Sequence, residues 1–206
     1  QTSEGRLKQI MDLGVTAVVA TPTYALRLAE VAAEMGLDLA SSAVARLILA
    51  GEPGANIPAT KRALEEAWGA KAGDFAGMTE SAGIFSFECS YQPQGMHIID
   101  DHSLEEVLEP TSGEPLDYGE KGERVATSFG RTGLPLIRYR SGDLVVKVEG
   151  ASCPCGRTYD ILKGGIAGRI DDMRIIRGTN VYPSAVEGIV RVFQEIAEFQ
   201  IVVDRL

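Results

Sequence analysis

Apolar positions along the first third of the chain alternate between two periods. GVTAVVATP (14–22) is a short β-branched run closed by Pro22. YALRLAEVAAEMG (24–36) then places Leu26, Ala29 and Ala33 at helical spacing and closes at Gly36. VARLILAGEPG (44–54) repeats the strand-then-glycine pattern. IPATKRALEEAWG (57–69) predicts a helix with Pro58 in its first turn, Leu64, Ala67 and Trp68 on one face, and Gly69 at its end. AKAGDF (70–75) makes a third short strand. This β-α-β-α-β order predicts an α/β fold, a largely parallel sheet covered by helices.

After Gly83 the pattern changes to strands and turns. GIFSFECS, GMHIID, LEEVLEP, GERVATSF and LPLIRYRSGDLVVKVEG are separated by SGEP, YGEKG and RTG, which predicts an antiparallel sheet or small barrel appended to the first. Near Gly168 it changes again. DDMRIIRGTNVYP reads as strand and turn, and SAVEGIVRVF as a helix opened by Ser184 and Glu187 at capping-box spacing. Val186, Ile189, Val190 and Phe193 form its stripe, and AEFQIVVDRL reads as a last strand.

Composition narrows the function classes. With 206 residues, 45% hydrophobic and 24% charged, the chain can bury a core of one large or one and a half ordinary domains. No apolar run is long enough to span a bilayer, and QTSEGRLKQ has no signal-peptide order, so no membrane partner and a cytoplasmic setting are the expectation. A net charge of −9 argues against nucleic acid as a partner. The window from Lys121 to Arg177 differs: eleven basic and six acidic residues give it a local charge of +5, which would draw an anionic small molecule. The plainer reading of most of those arginines is that they are solvated strand positions.

AGEPG (50–54) and AGMTE (76–80) follow strands of the α/β part, where open sheets bind ligands. Glycine there lets backbone approach a flat or phosphorylated ligand, Thr79 can donate to a phosphate oxygen, and Glu80 can hold phosphate-bound magnesium. On spacing alone this is a common arrangement.

Five ordered motifs are more specific: AGEP, GMTE, YRSGDL (139–144), GRIDDM (168–173) and IIRGTNVYPSAVE (175–187). Together they resemble the acyl-adenylate-forming enzymes, and within them the phenylacetate-CoA ligase branch, over essentially the whole chain. The resemblance implies the second half of the large AMP-binding domain, with an α/β part at 1–85 and a β-rich subdomain at 86–168. The start of a small α+β C-terminal domain would follow at 171–206. It implies ATP-dependent activation of a small-molecule carboxylate, an aryl or arylacetic acid, as acyl-AMP, followed by transfer to CoA.

Carried over by residue, it implies that Gly51, Glu52 and Pro53 shelve the adenine beside Phe75, Ala76, Gly77 and Met78. Thr79 would contact the α-phosphate, Glu80 would hold Mg2+, Asp143 would accept from the ribose hydroxyls, and Arg169 would meet ribose or phosphate. Asp171 would be the hinge, Gly178 would lie on the CoA path, and Ser81, Ala82 and Gly83 would line the acyl pocket. The family's Tyr-Gly before the Thr-Glu pair is Ala76-Gly77 here, which moves adenine stacking to Phe75. The family's phosphate loop and terminal catalytic lysine are expected outside this stretch. A carrier-protein acceptor in place of CoA, or a non-catalytic, zinc-stabilised nucleotide-binding module, are the alternative readings, and homodimerisation is left open.

The three cysteines carry a separate signal. An odd count argues against a secreted disulfide framework. Cys153 and Cys155 share a turn, and Cys89 precedes His97 by eight residues, so that three thiolates and an imidazole make a structural Zn2+ set. His102 is the alternative fourth ligand. The plain alternative is three reduced cysteines and a surface histidine.

Overall fold

The computed structural model describes residues 2–203 other than 82, 92–94, 152, 177–178, 194–195 and 197–198, and not the side chain of residue 184. Two cores organise it.

The first core belongs to the α/β part. Helix α1 (Ser3–Asp12) opens on Thr2, whose hydroxyl accepts from the Gly5 N–H at 3.2 Å. Strand β1 (Ala17–Ala20) leads to α2 (Pro22–Glu34), whose N-cap Thr21 accepts from the Tyr24 N–H while Pro22 takes the first helical position. Pro22 therefore begins the helix as well as ending the strand. Strand β2 (Arg46–Leu49), helix α3 (Pro58–Trp68) and strand β3 (Lys71–Met78) follow. β1, β2 and β3 pair in parallel. Leu7, Leu47, Leu49, Leu64 and Trp68 are fully buried between sheet and helices, and the Trp68 indole N–H donates to the Ala25 carbonyl at 3.1 Å. Gly69 ends α3 at φ +63°, where a Cβ would stand 2.9 Å from the Ala40 Cα.

β3 outruns its parallel neighbour. β2 pairs with it only as far as Asp74, and from Phe75 onward β3 pairs antiparallel with β4 (Gly83–Glu88). Phe75 to Met78 are thus strand residues that project past the carboxyl end of β2. The β-rich part is continuous with the first sheet through this pairing. It adds β5 (Gly95–Ile98), β6 (Ser103–Leu108), β7 (Lys121–Ser128), β8 (Tyr139–Val148), β9 (Ile161–Lys163) and the two-residue β10 (Gly168–Arg169). The 10-stranded path runs β1-β2-β3-β4-β5-β9-β8-β7-β6, with β10 on β8. Ala76, Phe85, Met96, Ile98, Val107, Val145 and Leu162 form the second core.

A hairpin of β11 (Arg174–Ile176) and β12 (Thr179–Val181) precedes helix α4 (Pro183–Val190). Two expectations are corrected here. α4 starts at Pro183 after Tyr182, with no side-chain cap hydrogen bond, so the capping-box start at Ser184 is not what the chain uses. Residues 199–203 of AEFQIVVDRL form no strand, because no ladder partner pairs with them among the described residues, and Ile201, Val202 and Val203 stay exposed. Among the described residues no helix is long and apolar enough to cross a membrane.

Candidate active site

A cavity of about 360 Å³ opens where β2 and β3 end, a size in the range of small-molecule sites. Gly51, Glu52 and Pro53 form one wall, Phe75, Ala76, Gly77 and Met78 another, and Asp143 and Arg169 a third. Nine residues assigned to the nucleotide from sequence are therefore brought together. The cavity also takes in residues that sequence reasoning missed: Asn56, Asp74, Phe85, Met96 and Ile166 from the large part, and Asp172, Pro183 and Glu187 from beyond β10.

The loop after β2 is held by its acid. The Glu52 carboxylate accepts from the Thr23 N–H at 2.8 Å and from the Thr23 hydroxyl, at the positive end of α2. Its side chain is thus committed to the fold, and the loop offers a ligand its backbone. Gly54 has φ +153°, and a Cβ there would lie 2.5 Å from the Pro22 Cβ, so only glycine lets the loop rest on the start of α2. Asn56 Oδ1 accepts from the Gly54 N–H at 3.2 Å, and its Nδ2 donates to the Gly164 carbonyl at 3.3 Å, tying this loop to the one before β10.

Charge on the third wall is paired internally. β10 places Arg169 opposite Asp143 of β8, and their guanidinium and carboxylate meet at 3.0 Å. The same guanidinium forks onto Asp171 at 2.9 and 3.1 Å. Gly142 leaves room for it, since a Cβ there would be 3.1 Å from Arg169 Nη2. Burial pushes the Asp143 carboxyl above its usual range, opposed by the hydrogen bond to Ser141 and the charges of Arg124 and Arg169. Asp171, exposed and hydrogen-bonded by Arg169, is held below the usual range. Asp74 is raised to about 7 by burial and by the neighbouring Glu88 carboxylate.

Thr79, Glu80 and Ser81 lie in the turn that joins β3 to β4. Gly77 and Gly83 face each other there so closely that a Cβ on Gly77 would stand 2.9 Å from the Gly83 carbonyl. Thr79 and Glu80 are exposed and stand outside the cavity wall, next in the chain to Met78, which lines it. Arg131, missed in the sequence, donates to the Thr79 and Glu80 carbonyls at 2.7 and 2.8 Å and fixes the turn. Ser81 is buried, and its hydroxyl has no hydrogen-bond partner among the described residues. Ala82 and Gly178 lie outside the described residues.

Away from this cavity, Cys89, His97, Cys153 and Cys155 converge from the end of β4, from β5, and from the turn between β8 and β9. His102 is in an exposed turn and is not part of the group. Burial opposes ionisation of Cys155, but hydrogen bonds from the Arg157 backbone and side chain outweigh it and hold the thiol at about 6.

Against known proteins, no family model matches the chain. It is 38% identical over 205 residues to a phenylacetate-coenzyme A ligase of Thermus thermophilus, covering 98% of this chain and 45% of that protein. A phenylacetate-coenzyme A ligase of Pseudomonas putida is 34% identical over 197 residues, covering 95% and 43% respectively. The chain spans a little under half the length of these relatives. Among solved structures, a 2-hydroxyisobutyryl-CoA ligase in a postadenylation state with R3-HIB-AMP superposes with a TM-score of 0.87 at 38% identity, covering 93% of this chain and 40% of that one. The same enzyme with 2-HIB-AMP and CoA in its thioesterification state, at the same identity and coverage, gives 0.78.

Proposed function

Because the chain is a relative of the phenylacetate-coenzyme A ligases and has the fold of the adenylate-forming CoA ligases, we propose that it forms part of an ATP-dependent acid-CoA ligase. The acid is of the aryl or arylacetic class. The observation that carries this reading is the convergence of the 51–53 loop, the 75–78 strand end, Asp143 and Arg169 on one cavity.

In the first half-reaction a carboxylate oxygen of the acid attacks the α-phosphorus of ATP, the bond to the β-phosphate oxygen breaks, and acyl-AMP and pyrophosphate result. In the second, the CoA thiol attacks the activated carbonyl and AMP leaves, giving a thioester.

The residues divide the work by their placement. The backbone of Gly51 to Pro53 and the face of Phe75 hold the base, while Asp143, kept in place by Ser141 and Arg169, accepts from the ribose hydroxyls. Phosphate then runs toward the β3–β4 turn, where the Thr79 hydroxyl donates to the α-phosphate. The site fits Mg2+ carried in with ATP: one exposed carboxylate, Glu80, in a turn fixed by Arg131 suits an ion that takes most of its ligands from phosphate and water. Bound there, the ion would neutralise charge developing on the phosphates. Ser81, Ala82 and Gly83 leave space for the acyl group, and the segment beyond Asp171, including Gly178, carries the CoA side of the reaction.

The test is carboxylate-dependent exchange of labelled pyrophosphate into ATP without CoA, with phenylacetate, benzoate and short fatty acids, alongside AMP binding by calorimetry. Exchange with the aromatic acids and not with the fatty acids is expected. Failure of both exchange and AMP binding would overturn the reading. AMP binding without exchange would favour a nucleotide-binding module, a reading that the position of Thr79 and Glu80 outside the cavity wall supports.

A further inference from the structure

Three cysteines and one histidine, 66 residues apart at their extremes, bring one ligand atom each into a cluster in which all four lie within 4.8 Å of one another. Cys89 Sγ and Cys153 Sγ are 3.7 Å apart, and Cys155 Sγ is 3.3 Å from His97 Nε2. A disulfide needs about 2.05 Å between its sulfurs, so Cys89 and Cys153 are not bonded. Tetrahedral zinc with bonds of about 2.3 Å to sulfur and about 2.0 Å to nitrogen sets its ligands roughly 3.8 Å (S to S) and roughly 3.5 Å (S to N) apart. These two separations match that geometry, and the other pairs lie within 4.8 Å.

The surroundings fit it too. His97 is fully buried on β5, and its Nδ1 lies 3.2 Å from the Tyr159 carbonyl, which accepts the proton there and leaves the Nε2 lone pair facing the sulfurs. The ring is seated against Phe87 at 5.9 Å, and the Arg157 guanidinium lies 5.2 Å above Phe87. Cys153 is buried, and Cys89 and Cys155 are half-buried. Three thiols and an imidazole turned toward one point, with Cys153 and His97 buried, present to one another the soft donor set that a central ion would satisfy.

We propose that Cys89, His97, Cys153 and Cys155 bind one Zn2+ in a closed tetrahedral site. Four protein ligands leave no position for water or substrate, so the ion is structural. None of the four lines the 360 Å³ cavity. What the ion joins is the free end of β4, the middle of β5 and the turn that leads from β8 into β9. β9 pairs with both β5 and β8 and runs on to Ile166 and Gly168 of the cavity wall. The zinc therefore fixes the strand that carries that wall.

Metal analysis of the protein purified from zinc-supplemented cells, after exhaustive dialysis, tests this. One Zn2+ per chain is expected, falling at least tenfold in Cys155→Ser and in His97→Gln, while His102→Gln retains the full ion. Because loss of a ligand can prevent folding, the wild-type protein stripped by a chelator is also reloaded with Co2+. Intense d–d absorption together with thiolate-to-cobalt charge transfer is expected, and Zn2+ should displace it. Zinc-free wild-type protein that gains no thiolate cobalt bands would overturn the proposal. So would a loss of metal in His102→Gln equal to that in His97→Gln.

Discussion

Replacing Asp74 with asparagine isolates one carboxylate in the cavity wall. The residue is half-buried, and its backbone N–H donates to Glu88 Oε2 at 3.0 Å, which brings a second acid close. The nearby cation, Lys61, is already paired with Glu88 Oε1 at 2.6 Å. Burial and the Glu88 charge move Asp74 from 3.8 in a solvated chain to about 7 in the fold. Each unit is worth about 1.4 kcal/mol, so full ionisation would cost about 4 kcal/mol. Water reaching the carboxylate reduces this to about 2–3 kcal/mol. The folded state holds this proton more tightly than the unfolded chain. Its contribution is therefore complete below pH 3.8 and is lost progressively as pH rises through about 7. Asp74→Asn keeps the shape and cannot ionise. Guanidinium unfolding of both proteins from pH 4 to pH 8.5 should show near-equal stability at the acid end and the variant ahead by about 2–3 kcal/mol above pH 7.5. A pH-independent offset would refute the reasoning. A wild-type protein that gains on the variant as pH rises would show instead that the carboxylate is ionised and favourably paired.

Further outcomes follow from other contacts. Asp143→Asn should weaken AMP binding about 10- to 100-fold, the loss expected for charged hydrogen bonds to the ribose hydroxyls; unchanged affinity in calorimetry would remove that role. Arg131→Ala frees the Thr79 and Glu80 carbonyls, which are exposed, so unfolding free energy should change by less than about 0.5 kcal/mol. Pyrophosphate exchange should fall while AMP affinity holds, and equal loss of both would place Arg131 elsewhere in the reaction. Trp68→Ala empties a fully buried site and removes the indole donor to the Ala25 carbonyl, at a cost of about 3–5 kcal/mol in denaturant unfolding; a loss below about 1 kcal/mol would mean that the first core collapses into the space.

Where the chain carried local punctuation, its structure was legible. Thr21 and Pro22 mark the start of α2, and Pro58 and Gly69 bracket α3, because each residue fills a backbone geometry that others fill poorly. α1 was not read: SEGRLKQIMD has one fully buried position, Leu7, and too little apolar surface for a stripe. β9 and β10, of three and two residues, are shorter than any period can register, and they exist because β5 and β8 supply their ladders. The reverse holds at 199–203, where a β-branched run has no described neighbour to pair with. Site residues followed the same division. Gly51 to Pro53, Phe75 to Met78, Asp143 and Arg169 stood in short motifs. Asp74 became visible only when β3 was seen to outrun β2, and Arg131 only when a loop 52 residues away reached back to the Thr79 carbonyl. The choice between His97 and His102 likewise rested on pairing: His97 sits in register between Phe87 and Ile161, inside the sheet, while His102 falls in the turn after it.

The internal pairing of the third wall bears on how the proposed hinge would work. Arg169 holds Asp143 and Asp171 at once, so movement of the segment beyond Asp171 pulls on the partner of a buried carboxylate. Arg124 stays near Asp143, yet a buried carboxylate that loses its direct ion-pair partner is destabilised. Ribose hydroxyls donating to Asp143 would replace that lost partner, whereas an empty cavity would not. In the proposed reaction, the barrier to moving the segment beyond Asp171 would therefore be higher without nucleotide than with it. In that reaction it would order the two half-reactions, the rearrangement that admits CoA becoming accessible once an adenylate occupies the cavity. Shortening the arginine separates the two contacts. Arg169→Lys can reach one acid and cannot fork onto both, so it should preserve pyrophosphate exchange better than thioester formation. Equal loss of the two would mean that Arg169 serves the nucleotide alone.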